Sequence, residues 1–348
     1  MVRVLIVDDS ALVRSVLTEI LASDPEVEVV GAAADPYIAR DMIKRLQPDV
    51  LTLDVEMPRM NGLTFLRNLM RLRPMPVVMI STLTVRGSMA ALEALEIGAI
   101  DCVAKPQVTS ARSMDDCARE ILAKVRMAAR AKVRGQAARR ERGPRDRVAA
   151  RSAAPLIAIG ASTGGTEAIR VVLERVPADA PPIVIVQHIP AAFSGAFAAR
   201  LDSVCAIEVV EACDGTELAR GVAHVAPGGR HLEVAVTAGK LRTRLHDGPP
   251  VHHQRPSADV LFQSVARHVG AGAVGVLLTG MGSDGAEGLA AMRDAGGRSV
   301  VQDEATSVVW GMPGAAVRIG AADEVLALDD VAEAMLGGRP AARSGGGR

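Results

Sequence analysis

The chain has 348 residues, 49% of them hydrophobic, more than one compact core of ordinary size absorbs, so two domains are expected. Its 40 basic side chains balance its 40 acidic ones, which leaves no net field to recommend nucleic acid or a membrane surface as partner. A cytoplasmic protein without membrane insertion is expected: Asp8-Asp9 interrupts the apolar start where a signal peptide would continue, and no apolar run approaches the ~20 residues that cross a bilayer.

In chain order, residues 2–7, 27–33, 50–53, 77–80 and 100–103 read as buried strands. Helical patterns start near Ala11, Pro36, Gly62 and Arg86, with a fifth from about Ser113. This alternation predicts a (βα)5 doubly wound domain over 1–125, with a parallel sheet covered on both faces. Arginine then displaces apolar residues, predicting a linker over 126–153; no aromatic or motif accompanies the basic run to suggest a nucleic-acid arm. A second, mostly parallel α/β domain is expected over 154–336, with strands at 156–159, 183–186, 207–210 and 274–278. Its helices start near Gly164, Ser194, Ser257 and Gly285. Within it, 222–225, 232–236 and 241–245 read as an inserted β-meander. The Gly/Arg/Ser-rich tail 337–348 is expected to be disordered. Cys102, Cys117, Cys205 and Cys213 lack C-x-x-C spacing and read as small core residues of a reducing compartment.

In open parallel sheets, ligands bind at the C-terminal strand edge. Asp8 and Asp9 end the first strand, Asp54 the third and Ser81 the fourth, and Lys105-Pro106 follows the fifth. Crowded carboxylates need a cation, and hard oxygen ligands suit Mg²⁺. A carboxylate that accepts a phosphoryl group needs that metal, together with a cation and a hydroxyl for the equatorial oxygens; Asp54, Lys105 and Ser81 supply those roles. Each residue alone is more often a helix cap or turn former. Together, at the right strand ends, they resemble a response-regulator receiver domain. The resemblance implies phosphorylation of Asp54 by a histidine kinase. It also implies Mg²⁺ held by Asp9, Asp54 and the backbone carbonyl of Glu56 with Asp8 behind, and a cis Lys105–Pro106 peptide. Cys102 stands where receivers often carry an aromatic switch residue.

The strand at 156–159 runs into Gly160-Ala-Ser-Thr-Gly-Gly165. Taken alone, this turn leaves three readings open: a phosphate cradle, an exposed nucleophile at Ser162, or a plain helix cap. Two further strands end in Gln187-His188-Ile-Pro190 and Thr279-Gly-Met-Gly-Ser-Asp-Gly285. A nucleotide site has no use for both His188 and Asp284, whereas Ser162, His188 and Asp284 supply nucleophile, base and orienter for acyl transfer. The backbone N–H groups of Thr163 and Met281 are the candidate oxyanion donors. The chain order Ser, His, Asp departs from that of α/β-hydrolases.

With Arg255-Pro-Ser-Ala-Asp-Val-Leu-Phe262, these motifs resemble the catalytic domain of CheB-type chemotaxis methylesterases. The resemblance implies hydrolysis of glutamate γ-methyl esters on methyl-accepting chemotaxis receptors, with release of methanol and no cofactor for the esterase. It also implies a CheA-type kinase as phosphate source, and allows deamidation of receptor glutamines. The expected control is release of a covered Ser162 cleft when Asp54 is phosphorylated. Zinc at His246, His252 and His253 is disfavoured, because adjacent residues point apart and no ligand carboxylate is obvious. Trp310 is expected in the core or a pocket wall, and Arg255 is placed to face substrate. A DNA-binding output would need a helix-turn-helix in place of these strands and Gly-rich loops. An idle adaptor would have no need of all three triad positions.

Overall fold

Near-continuous runs of Val, Ile and Leu can be buried on both faces only in a sheet layered by helices, and both halves of the chain meet that demand. The computed structural model describes residues 1–81, 85–106, 114–131, 133 and 154–337. The chain divides into two compact units, Met1–Pro144 and Arg145–Arg348.

The first unit runs β1 (Val2–Val7), α1 (Ala11–Ala22), β2 (Val27–Ala33), α2 (Pro36–Leu46), β3 (Val50–Asp54), α3 (Gly62–Leu72), β4 (Val77–Ser81), α4 (Val85–Ile97), β5 (Asp101–Ala104) and α5 (Met114–Ala128). Its strands pair in parallel in the order β2-β1-β3-β4-β5. The order reverses between β1 and β3, which opens a crevice beyond their C-terminal ends. Ser10, Asp35 and Asn61 cap α1, α2 and α3 by accepting backbone N–H groups of the first turn. Helix α5 continues into the expected linker because Met127 and Ala128 are still buried. The expected cis peptide at Lys105–Pro106 is not found; the cis bond among the described residues is Arg255–Pro256. Trans is the default isomer of an X–Pro bond, and Lys105 reaches its carboxylate partners from it.

The second unit contains β6 (Ile157–Ala161), α6 (Gly165–Leu173), β7 (Ile183–Gln187), α7 (Ala191–Asp202), β8 (Glu208–Glu211), β9 (Val222–Val225), β10 (His231–Thr237) and β11 (Lys240–His246). There follow α8 (Ala258–His268), β12 (Val274–Leu277), α9 (Ala286–Asp294), β13 (Arg298–Gln302), α10 (Met312–Arg318), β14 (Glu324–Leu326) and α11 (Leu328–Met335). Seven strands form one parallel sheet in the order β14-β13-β12-β6-β7-β9-β8.

The expected three-stranded meander is corrected. β9 lies in the main sheet, parallel to β7 and β8, and only β10 and β11 form an antiparallel hairpin. The reason lies in burial. Ala223, His224 and Val225 are buried in succession, as an interior parallel strand requires. Leu232 and Val234 instead alternate with less buried residues and lay one face of the hairpin toward α8, where Ser264 Oγ accepts the Val234 N–H at 2.9 Å.

From β6 the chain proceeds to β7 on one side and returns as β12 on the other, so these three strand ends meet at the switch point of the sheet. Helix α8 crosses above them, with Leu261, Phe262 and Val265 in one core cluster with Ala158 and Leu277. Gly160 makes the crossing possible: a Cβ there would sit 2.8 Å from Ala258 Cβ and 3.1 Å from Phe262 Cζ.

His224 on β9 is a liability within this core. It is 2% exposed, and neither ring nitrogen has a hydrogen-bond partner among the described residues. Burial holds its pKa below the ordinary 6.5. The unfolded chain therefore takes up the proton first, and stability is lost as pH falls through about 6.5 toward the lower folded value. His224→Leu is expected to keep or raise the thermal midpoint at pH 7.5 and to flatten its decline between about pH 6.5 and 5. Differential scanning calorimetry across that range checks it; a midpoint several degrees lower at pH 7.5 would contradict the account.

Candidate active site

In the first unit, Asp8 and Asp54 are each 1% exposed, while Asp9 faces solvent. One carboxylate oxygen from each lies within 4.8 Å of the other two. Lys105 Nζ stands 2.8 Å from Asp54 Oδ2 and 3.1 Å from Asp8 Oδ2. The Lys105 N–H donates to the Ser81 carbonyl at 2.8 Å, tying the exit of β5 to the end of β4, and Ser81 itself is buried. Burial pushes the Asp54 carboxyl up to about 6; Lys105 opposes the shift and the charge of Asp8 adds to it. For Lys105 burial works the other way, but its two carboxylate partners prevail and raise its pKa. The Glu56 N–H donates to the Asp54 carboxylate, and the Glu56 side chain is exposed. Gly62 lets α3 start against the end of β3, since a Cβ there would fall 2.0 Å from the Asp54 carbonyl oxygen. Three crowded carboxyls, two of them against a single lysine and Asp54 pushed toward its neutral form, are a donor set that fits a hard divalent cation. At the switch position, Cys102 is buried and its Sγ lies 3.5 Å from the Ala91 carbonyl of α4.

In the second unit the hydrogen-bond ladder continues past the strand ends and fixes the candidate residues. The Ser162 N–H donates to the Thr279 carbonyl at 3.0 Å, and the His188 N–H donates to the Ala161 carbonyl at 3.0 Å. Buried Gln187, which sequence reasoning passed over, donates from Nε2 to the Ser162 carbonyl at 2.8 Å and the His188 carbonyl at 3.1 Å. Gly280 brings the loop after β12 onto Ser162: a Cβ at Gly280 would lie 2.8 Å from Ser162 Cβ and 2.2 Å from Met312 Sδ. Gly311 in turn packs on that loop, its Cβ position 3.1 Å from Met281 Cα. Thr163 is buried just before α6, and the Met281 side chain is 46% exposed. Among the described residues the Met281 N–H makes no hydrogen bond, which leaves a donor beside Ser162.

His188 Nε2 lies 2.7 Å from Asp284 Oδ2, with both side chains buried. The other ring nitrogen, Nδ1, is buried and has no partner among the described residues, so Ser162 and His188 are not hydrogen-bonded in this state. Such catalytic bonds often form only with substrate in place.

Asp284 is saturated with donors. Oδ1 accepts Ser257 Oγ–H at 2.6 Å and the Asp259 N–H at 3.2 Å, and Oδ2 accepts the Ala258 N–H at 2.7 Å as well as His188. Burial alone would raise its pKa, but the hydrogen bonds from His188, Ser257 and Ala258 outweigh burial and hold the carboxyl below its usual range. Asp284, just before α9, thus caps α8 from outside. Asp259, in the first turn of α8, returns the favour by accepting the Gly288 N–H of α9 at 2.6 Å. Gly285 and Gly288 permit this exchange: Gly285 has φ 87°, and a Cβ on Gly288 would meet the Asp259 backbone at 2.9 Å.

Neither Ser257 nor Asp259 was singled out from the sequence. A Ser-x-Asp pair at a helix start was the available signal, but it points to a local cap, not to a partner 27 residues on. The three histidines weighed for zinc do not converge. His252 Nε2 lies 3.0 Å from Asp259 Oδ2, while His246 stacks on His231 with centroids 5.1 Å apart. Arg255 Nη1 donates to the Asp247 and Gly248 carbonyls at 3.1 and 3.0 Å, bracing its own loop. Trp310 is partly buried, and its Nε1–H donates to the Gln302 carbonyl at 3.2 Å.

Comparison with known proteins agrees with this division. Residues 157–335 match the family described as CheB methylesterase, and residues 4–113 match the response regulator receiver domain. A protein-glutamate methylesterase/protein-glutamine glutaminase 2 of Xanthomonas oryzae pv. oryzae is 57% identical over 347 residues, covering 96% of each chain. A protein-glutamate methylesterase/protein-glutamine glutaminase of Salmonella typhimurium is 52% identical over 338 residues, again covering 96% of each. The crystal structure of the Thermotoga maritima CheB methylesterase catalytic domain aligns with a TM-score of 0.52 at 34% identity, covering 53% of this chain and 98% of that one.

The carboxylate cluster of the first unit sets a pH-dependent response to cation. With its folded pKa of about 6 above the ordinary 3.8, Asp54 contributes stability that is fully present below 3.8 and lost as pH rises through about 6. A divalent cation relieves that loss only where Asp54 is ionised. Millimolar Mg²⁺ is therefore expected to raise the first thermal transition more at pH 7.5 than at pH 5, and Asp54→Asn to shrink the difference. An equal rise at both pH values would contradict this.

Proposed function

The chain belongs to the CheB methylesterase family, and from that premise we propose that Ser162, His188 and Asp284 hydrolyse glutamate γ-methyl esters on methyl-accepting chemotaxis receptors. The observation that carries the reading is the 2.7 Å contact between His188 and Asp284, made beside Ser162 at the switch point of the sheet. With Nε2–H directed at Asp284, the neutral imidazole presents Nδ1 as its free lone pair.

In the first half-reaction, Nδ1 takes the Ser162 hydroxyl proton as Oγ attacks the ester carbonyl. The negative charge on the carbonyl oxygen is received by the N–H groups of Thr163 and Met281, each such donor being worth ~10²- to 10³-fold in rate. Asp284 stabilises the imidazolium, which it can do because its donors keep it ionised. Collapse of the tetrahedral adduct breaks the C–O bond to methanol, which leaves with the proton from His188. Water then attacks the acyl-Ser162 ester with His188 again as base, freeing the glutamate carboxylate and restoring Ser162. A receptor glutamine entering the same site loses ammonia by the same steps, which supplies the deamidase activity carried in the relatives' names. None of these steps draws on a cofactor.

The receiver unit supplies control. Asp54 accepts a phosphoryl group from a CheA-type histidine kinase; Asp8, Asp9, Asp54 and the Glu56 carbonyl would hold Mg²⁺, and Lys105 and Ser81 would bind phosphoryl oxygens. The metal, when bound, neutralises charge on the phosphoryl oxygens. Lys105 already stands against Asp54, so a cation on the acceptor side is in place before phosphate arrives. Phosphorylation raises esterase activity by favouring the active state; a shift from mostly inactive to mostly active needs a few kcal/mol. Partners of this kind place the protein in the cytoplasm, where receptor signalling helices and kinase meet. In the described residues no helix is long and apolar enough to cross a membrane.

Methanol release from methyl-labelled receptor membranes tests the proposal. Wild type is expected to release methanol, more so with a small phosphodonor; Ser162→Ala is expected to lower release by at least ~10³-fold. Release unaffected by Ser162→Ala would overturn the assignment.

A further inference from the structure

Behind Asp284 lies a second carboxylate–imidazole pair that takes no part in the reaction as described. Asp259 is 1% exposed, yet its Oδ2 has no directional hydrogen bond and instead faces His252 Nε2 at 3.0 Å. Its other oxygen is bound to the Gly288 N–H. His252 is 40% exposed at the side chain, so the pair connects solvent to the buried Asp284. Ligating atoms of His252, Asp259 and Asp284 all lie within 4.8 Å of one another. The loop adopts an unfavourable backbone to present this histidine: His252 and His253 have φ 49° and 60°, left-handed values that side chains rarely take. The turn is closed by reciprocal Val251 and Gln254 backbone bonds of 3.0 and 2.8 Å.

We propose that Asp259 and His252 are positioning residues of the esterase, setting through Asp284 the charge against which His188 takes and returns its proton. This rests on the reading of Ser162, His188 and Asp284 as a hydrolytic triad. The physics is electrostatic. Two buried carboxylates at this separation repel, and Asp259 is accordingly harder to ionise than usual: burial first, then the charge of Asp284, raise its pKa. Its contact with His252 and the Gly288 N–H oppose that rise. Ionised Asp259 adds negative potential at the His188 imidazolium, and the 3.0 Å contact with His252 favours that ionised form. Among the described residues, His231 on β10 also feels Asp284, and Arg255 before α8 acts on His231.

The two substitutions are therefore expected to move the acidic limb of reactivity in the same direction, Asp259→Asn further than His252→Asn. The measurement is the rate at which a fluorophosphonate probe labels Ser162 in the full-length protein between pH 5 and 9. Asp259→Asn removes negative potential and is expected to shift the limb down by roughly 0.5–1 pH unit. His252→Asn removes the imidazole that favours ionised Asp259, while asparagine tolerates the left-handed backbone, and is expected to shift the limb down by a smaller amount, roughly half a unit at most. His252 sits in an exposed loop, so its variant reports even if Asp259→Asn folds poorly. Limbs that stay in place, with rates merely scaled at all pH values, overturn the proposal, as do shifts of opposite sign. Failure of wild-type Ser162 to label at any pH overturns the hydrolase reading itself, and this inference with it.

Discussion

The carboxylate of Asp284 is the point on which the second unit's chemistry and architecture both depend. It is 2% exposed, and an unpartnered charge at that depth would neutralise itself by taking up a proton. Four donors prevent this: His188, the Ser257 hydroxyl and the N–H groups of Ala258 and Asp259. Two of them are the first amides of α8, whose positive end favours an anion. The same contacts that keep Asp284 ionised therefore fasten α8 over the sheet. They also bring the residue carried by the loop after β12 to the histidine carried by β7. Helix α9 is secured in exchange, through Asp259 and Gly288.

The two units use the same position in related sheets for opposite electrostatic ends. In each, aspartates gather where the strand order reverses. Asp54 is poor in donors: with Asp8 beside it and Lys105 as its cationic partner, burial pushes it up to about 6. Such a carboxyl gains most from an added cation, and it suits the phosphoryl acceptor proposed for this position. Asp284 is rich in donors and is held in its charged form by them, which suits the orienting role proposed for it beside His188. Identical side chains thus acquire different chemistry from the count of N–H groups aimed at them.

Much of this was legible in the sequence, for physical reasons that also mark the limit. Strands such as β3 and β7, buried at every position, announce themselves as unbroken apolar runs, and residues just after them must fall on one edge. That is enough to place Asp54, Ser162 and His188 without coordinates. The strand at 222–225 was misread because proximity in sequence to a true hairpin suggested pairing with it, whereas its continuous burial called for the sheet interior. Gln187, Ser257 and Asp259 were not legible, since their roles come from contacts with Ser162, Asp284 and Gly288, which lie 25, 27 and 29 residues away. No local pattern encodes such a distance. The isomer of Lys105–Pro106 was likewise beyond the residues themselves, and there the resemblance pointed the wrong way.

The most direct test of the account is Asp284→Asn, with ester hydrolysis and thermal unfolding measured on the same sample. An asparagine can still accept the Asp259 N–H and the Ser257 hydroxyl through its one oxygen, but its amide nitrogen faces the Ala258 N–H, and it cannot carry charge or hold His188 in the tautomer that leaves Nδ1 free. Hydrolysis should fall by about 10³- to 10⁴-fold while the unfolding transition stays cooperative. Hydrolysis retained within about tenfold of wild type would mean that Asp284 is only a helix cap, and the chemistry assigned to it would have to be sought elsewhere.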